Sequence, residues 1–313
     1  MKKFTLFAMM LLAVSFAFAQ EDETEGSTLE QPIRTPVEFP WEQVNVNESA
    51  DPIAYPPVRQ ADVMYYWTVW RTIDLREKVN HPLYFPTEVR GTWRSLGQTI
   101  FDAIDMANTE RTEGVLPVYS DEMCTFPYSR DELQGLVANV QTITKIDLES
   151  GEEIGEEELV TQLEPKDIIS YNVKEVWYFD KQYSTFRVQI LMLQPIIEYE
   201  KPNNNSSYYD DENQDDEDVK AVMMKRKLGY IYYNELRPFL AKQEVFNVKN
   251  NASRVSFDDL ITWKRDFSSL IYKESNVYDR QIDDYIANSR DQRIESERIT
   301  ENLRKFESDL WEF

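Results

Sequence analysis

The chain holds one histidine, His81, and one cysteine, Cys124, against 57 acidic residues, so any chemistry it performs must rest mainly on carboxylates. A zinc site draws most of its ligands from histidine and cysteine, and one of each is too few. A Ser-His-Asp or Cys-His site would need His81 as its base. His81 precedes Pro82 in a segment that reads as a turn, and no nucleophile-elbow pattern occurs. Asp211, Asn213 and Asp215 begin the alternation of a calcium loop. The sixth position, however, is Asp216 where glycine is required, and the twelfth is Val222 where glutamate is required. No glycine-rich phosphate loop is present among only eight glycines. What remains is a glycosidase-type pair of carboxylates, which needs only two acids held several ångströms apart. Asp258-Asp259 and Asp283-Asp284 are adjacent pairs. On a helix, however, neighbours diverge by about 100° and do not converge on one substrate. Asp258 and Asp259 near a helix start are explained by the helix dipole. No catalytic residue, metal ligand or cofactor site is assigned.

The elements that would have to position a site are clearer than the site itself. Lys2 and Lys3 lead into an apolar run from Phe4 to Phe18, and Ala17-Phe18-Ala19 precedes Gln20, so residues 1–19 read as a secretory signal peptide. The run is shorter than the ~20 residues of a membrane span. No cysteine stands at the expected cleavage point for a lipid anchor. A lone cysteine makes no intrachain disulfide, so an exported chain of this kind depends on its core and its partners. The net charge is −23, and it is more negative without the two leader lysines. Such a charge repels nucleic acid and anionic lipid and favours a basic partner surface.

Residues 20–60 carry Pro32, Pro36, Pro40, Pro52, Pro56 and Pro57, which forbid a helix and imply an extended arm. Its apolar Ile33, Val37, Phe39 and Trp41 imply docking, either on the chain's own domain or on a neighbour. Residues 61–313 read as a single α+β domain. Asp62–Lys78 is helical or mixed, because Val63, Tyr66 or Trp67, Trp70 and Ile73 recur at spacings of three and four. Leu96, Ile100, Ile104 and Ala107 mark an amphipathic helix, with Ser95 and Gln98 placed for a capping box. The middle reads as strands: "NVKEVWYFD", "STFRVQILMLQPIIEY" and "KLGYIYYNEL". Within these, Phe186, Val188 and Ile190 alternate with Arg187 and Gln189, and Pro195 marks an edge or a bulge. Residues 201–218, acidic and rich in asparagine, cannot bury enough apolar area to order and read as a disordered insert. Phe257, Leu260 and Ile261 open a helix with Ser256 as N-cap. Ile299, Leu303, Phe306 and Leu310 define a final one, and Trp311 and Phe313 suggest a docked terminus. The fold class expected is a central antiparallel sheet flanked by helices, with a Pro-rich extended N-terminal arm and a helical C-terminus.

Four stretches, in order, resemble the GldN/PorN family of the type IX secretion and gliding machinery of Bacteroidota. They are "DVMYYWTVWRTIDLREKVNHPLYFP", "EVWYFDKQYSTFRVQILMLQP", "FNVKNNASRVSFDDLITWKRDFSSLIYKESNVYDRQIDDYI" and the ending "FESDLWEF". The resemblance covers nearly the whole chain from about residue 60. It implies a non-enzymatic component of a periplasmic ring on the inner face of the outer membrane. That component would assemble with a ring-forming lipoprotein of the GldK/PorK type, contact the periplasmic part of a GldM/PorM-type inner-membrane motor, and self-associate within the ring. No nucleic acid and no direct membrane span are implied.

On this reading the partner-binding candidates are Ile33, Phe39 and Trp41 on the arm, and Trp67, Trp70, Arg71, Asp74, Arg76 and Glu77 in the first family block. Tryptophan and arginine are the residue types that anchor interfaces. Equally, Trp67 and Trp70 fit a core, and the charges fit local pairs at helical spacing. The competing function is a monomeric periplasmic carbohydrate-binding module or a hydrolase using a carboxylate pair beside an aromatic platform.

Overall fold

Residues 168–180, rich in β-branched and aromatic side chains, form an inner strand of the main sheet. The structure is a computed structural model that describes residues 45, 47–104, 116–146, 153–201, 222–246 and 254–309. The signal peptide, residues 20–44 of the arm with Ile33, Phe39 and Trp41, nearly all of the acidic insert, Ala107 and residues 310–313 lie outside the described residues. The described residues belong to one compact unit, Val44–Phe313.

The described residues form nine strands. They are β1 (Val63–Asp74), β2 (Val118–Tyr119), β3 (Ala138–Ile146), β4 (Glu153–Gln162), β5 (Ile168–Asp180), β6 (Thr185–Lys201), β7 (Val222–Lys227), β8 (Tyr230–Tyr232) and β9 (Leu270–Glu274). Seven form one antiparallel sheet in the order β2-β8-β6-β5-β1-β9, with β7 also paired to β6. β3 and β4 form a separate hairpin. The helices are α1 (His81–Tyr84), α2 (Leu96–Ile104), α3 (Arg130–Val137), α4 (Tyr233–Lys242), α5 (Ile282–Tyr285) and α6 (Ser289–Asp309), with a π-helical turn at Asp259–Lys264. The α+β class with a central antiparallel sheet is as the sequence implies.

One element differs. Residues 63–74 are a strand throughout, not helical or mixed. Val63, Thr68, Val69, Thr72 and Ile73 are β-branched, and Tyr65, Tyr66, Trp67 and Trp70 are aromatic. All of these lose side-chain freedom in a helix and pack well on a pleated surface. The spacings of three and four come from large residues on both faces of a strand. A second difference is smaller: "KLGYIYYNEL" gives only three strand residues before α4 begins at Tyr233.

Elsewhere local chemistry explains the boundaries. Ser95 and Gln98 form the reciprocal cap of α2, with the Ser95 N–H donating to Gln98 Oε1 at 2.9 Å and the Gln98 N–H to Ser95 Oγ at 3.2 Å. Ser256 Oγ accepts from the Asp259 N–H at 3.1 Å. Arg265, at φ 51°, closes the π-helical turn in the left-handed region. Pro195 pairs with Tyr171 on one side. On the other side it fills the gap where β6 passes from β8 to β7, so its missing N–H leaves no ladder bond unmade.

The main core joins Ile73, Tyr171, Val173, Leu193 and Ile197 of the sheet to Leu96 and Ile100 of α2, Tyr233, Leu236 and Leu240 of α4, and Phe257 and Ile261. A full burial of each Leu or Ile side chain contributes about 1.5–3 kcal/mol. A second core lies towards β9, where Val69 and Ile271 meet Ile282, Ile299 and Leu303. The spacing of four between Ile299 and Leu303 is what lays one stripe of α6 on the sheet.

Candidate interaction surface

Strand alternation sorts the first family block. Trp67, Val69, Arg71 and Ile73 take one face of β1, and Trp70, Thr72 and Asp74 take the other. On the first face Trp67 meets Phe306 of α6 edge-on, ring centroids 4.8 Å apart, and Phe306 also touches Tyr65 at 5.3 Å. Arg71 is buried against Glu175, which lies diagonally across on β5, with Nε 3.1 Å from Oε2 but out of line for a hydrogen bond. Arg265 donates to both oxygens of Glu175 at 2.8 and 2.9 Å, and Trp177 Nε1 donates to Oε2 at 3.0 Å. Glu175 is fully buried, so two arginines and an indole share one carboxylate inside the sheet–helix layer. Burial pushes the Arg71 guanidinium below its ordinary pKa, against the pull of Glu175 and with a push from Arg265.

On the second face Trp70 Nε1 donates to Glu122 Oε1 at 2.8 Å. Lys174 pairs with the same oxygen at 2.6 Å, and Lys174 and Lys273 approach the Trp70 ring to 5.3 and 4.6 Å. Such contacts contribute about 0.5–1 kcal/mol at exposed sites. Asp74 ends the strand by accepting from the Arg76 side chain at 2.6 Å and from the Arg76 N–H at 2.9 Å. That hydrogen bonding from Arg76 is the main force holding the Asp74 carboxyl below its usual pKa. Glu77 is half-buried and Arg76 exposed. The structure thus brings Asp74 and Arg76 together but sends Arg71 to Glu175 and Trp70 to Glu122, instead of the helical-spacing pairs. His81 meets Phe85 edge-on, ring centroids 5.5 Å apart.

Residues 45–60 of the Pro-rich stretch that are described touch α4 and the π-helical turn. Arg237 donates to the Ile53 carbonyl, stacks on the Tyr55 ring at 4.3 Å and is paired with Asp258. Asn45 Nδ2 donates to the Lys242 carbonyl at 2.9 Å. Sequence reasoning did not single out Glu122, Glu175, Asp258 as a paired acid, or Arg265, because each partner lies far away along the chain.

Three exposed features stand out. The free end of β1–β5–β6 displays Met64, Tyr65, Tyr66 and Tyr183, with Tyr66 68% exposed. A loop before α5 lifts Val277 and Tyr278 to 98% and 73% exposure. Asn276 braces that loop by accepting from the N–H groups of Tyr278 and Arg280. A cleft of about 420 Å³ opens beside β9, lined by Thr72, Asn172, Lys227, Gln281, Asp283 and Arg293 among others. Among the described residues there is no cluster of three or more metal-ligating side chains, and no helix is long and apolar enough to cross a membrane.

A search of curated proteins finds no match. The family model for the gliding motility associated protein GldN matches residues 58–312. The match takes in every strand of the sheet, both cores and the Trp67–Glu77 segment. The chain therefore belongs to the GldN family, components of gliding motility and type IX secretion.

Proposed function

We propose that the chain is a non-enzymatic structural subunit of a periplasmic, outer-membrane-associated ring of the type IX secretion system. In this reading it is exported by its signal peptide and held at the outer membrane by a GldK/PorK-type lipoprotein. It couples to the periplasmic part of a GldM/PorM-type motor, serving secretion and, in motile species, gliding. The observation that carries the reading is the family match over residues 58–312. Two of the buried acids, Glu175 and Asp258, are each held by arginine at both oxygens, an arrangement that suits a structural role for both.

The partner-facing residues in this proposal are Ile33, Phe39 and Trp41 of the arm together with Trp67, Trp70, Asp74, Arg76 and Glu77. Arg71, buried, acts by positioning Trp177 and the strand through Glu175. Many modest contacts in a closed ring add through effective concentration. The test is co-purification of the full chain with its lipoprotein from a Bacteroidota host, followed by mass measurement and imaging. Rings containing both proteins are expected. A lone monomer that hydrolyses or binds glycans instead would establish the carbohydrate reading.

A further inference from the structure

Among the unpaired edges of the sheet in the described residues, the one along the start of β6 has a geometry that selects its partner. β6 is 17 residues long, yet β8 and β7 pair with it only from Met192 onward. Among the described residues nothing pairs with Thr185–Gln189 on the side away from β5. In a strand of given direction, the face that an L-side chain occupies fixes the side to which its own N–H and C=O point. Pro195 and Val188 share a face, because they pair with Tyr171 and Trp177 of the same alternation, and Phe186 joins them through Phe179. The Pro195 carbonyl accepts from the Leu228 N–H, away from β5. The N–H and C=O groups of Phe186 and Val188 therefore also point outward, into the open edge. Their side chains lie on the face where Trp177, Phe186 and Phe306 cluster. Arg187 and Gln189 lie on the other.

The arm carries the complementary pattern. In residues 29–43, every odd position is Leu29, Gln31, Ile33, Thr35, Val37, Phe39, Trp41 or Gln43. Every even position is Glu30, Pro32, Arg34, Pro36, Glu38, Pro40 or Glu42. In an extended strand all three prolines would direct their missing N–H to one side, and the apolar residues would keep theirs on the other. This is the arrangement that lets a proline-bearing strand occupy an edge. If the strand runs antiparallel to β6, its odd residues bond to Phe186 and Val188 and place Ile33, Val37 and Phe39 on the aromatic face. A parallel strand would put those apolar side chains beside Arg187 and Gln189 instead.

We propose that residues 29–43 of a second copy of this chain add antiparallel to the Thr185–Gln189 edge of β6. The donor segment and the acceptor edge are different surfaces, so the contact is head-to-tail, the kind that propagates into a ring. The proposal rests on the ring reading above and names the contact between its copies. Asn45 and Ile53 fasten the base of the arm to its own domain, which fixes the point from which it reaches its neighbour.

The experiment is hydrogen exchange at the Phe186 and Val188 amides of the full chain lacking its leader, over a range of protein concentrations. Four proline variants accompany it: Thr35→Pro and Val37→Pro at inward positions, Arg34→Pro and Glu38→Pro at outward ones. Unchanged melting checks that each variant's domain folds. Protection that rises with concentration, is lost in the inward pair and is kept in the outward pair is the expected result. Equal effects of all four variants overturn strand addition, and concentration-independent protection overturns the second-copy donor. Oligomers that form with both amides unprotected sink this contact and leave the ring standing. A wild-type chain that stays monomeric and enters no ring with its lipoprotein removes both.

Discussion

Arg237 grips Asp258 through two parallel hydrogen bonds, Nε to Oδ1 at 2.8 Å and Nη2 to Oδ2 at 2.9 Å, with both side chains almost fully buried. Thr262 Oγ1 adds a third bond to Asp258 at 2.8 Å and meets Tyr233 Oη at 2.9 Å. Breaking a buried pair by removing one partner typically costs about 3–5 kcal/mol. Asp258→Asn is expected to lower the unfolding free energy by an amount in that range, read by denaturant titration. Replacing both residues with apolar ones of similar size should recover a large part of it.

Glu175 is a sharper case, because two cations depend on it. Glu175→Gln leaves Arg71 buried without its counter-charge, whereas Arg265, which is partly exposed, can turn to water. The variant is expected to lose more stability than Arg265→Ala. The Trp177 fluorescence should shift as its indole loses the carboxylate it donates to.

Gly229 answers a close approach. A Cβ there would lie 2.3 Å from Val118 Cγ1, 2.8 Å from the Tyr119 carbonyl and 2.9 Å from Tyr128 Cε2. Gly229→Ala must push β2 away from β8, at a cost of about 1–3 kcal/mol. Thermal unfolding should show the loss, while Gly135→Ala, which meets nothing within 4 Å, should show none.

Acid should weaken the fold by a defined route. Hydrogen bonds from Arg76 hold the Asp74 carboxyl low, and those from Arg298 do the same for Glu295. An acid depressed in the folded state binds fewer protons there than in the unfolded chain. Its contribution is therefore present above the unfolded carboxylate pKa, about 4, and is lost as pH falls through the folded value. Glu274, packed between β9 and α6, is raised chiefly by burial and works in the opposite direction. Its contribution is full below the unfolded pKa and is lost as pH rises through the folded one. Glu274→Gln should remove that loss and raise stability at neutral pH, measured as melting temperature against pH.

Much of the fold could be read along the chain because its signals are local. The Ser95–Gln98 cap, the Ile299–Leu303 stripe and the Phe186–Ile190 alternation each need only neighbours a few residues away. β1 was misleading because large side chains on both faces imitate helical spacing, and only its β-branched content distinguishes the two. The environment of the Trp67–Glu77 segment was not legible at all. Trp70 meets Glu122, Arg71 meets Glu175 and Trp67 meets Phe306, pairings set by the order of strands in the sheet and not by any spacing.

That strand order bears on when the protein can fold. Among the described residues β1 is the first strand, yet it lies between β5 and β9, with Arg71 opposite Val173 on one side and Ile271 on the other. Its aromatic end is then covered by Phe306 of the last helix. Contacts so distant in sequence form late, after most of the chain is available. The first strand therefore waits for the last helix: the molecule stays pliable while most of the chain is made and locks shut only once its tail has arrived.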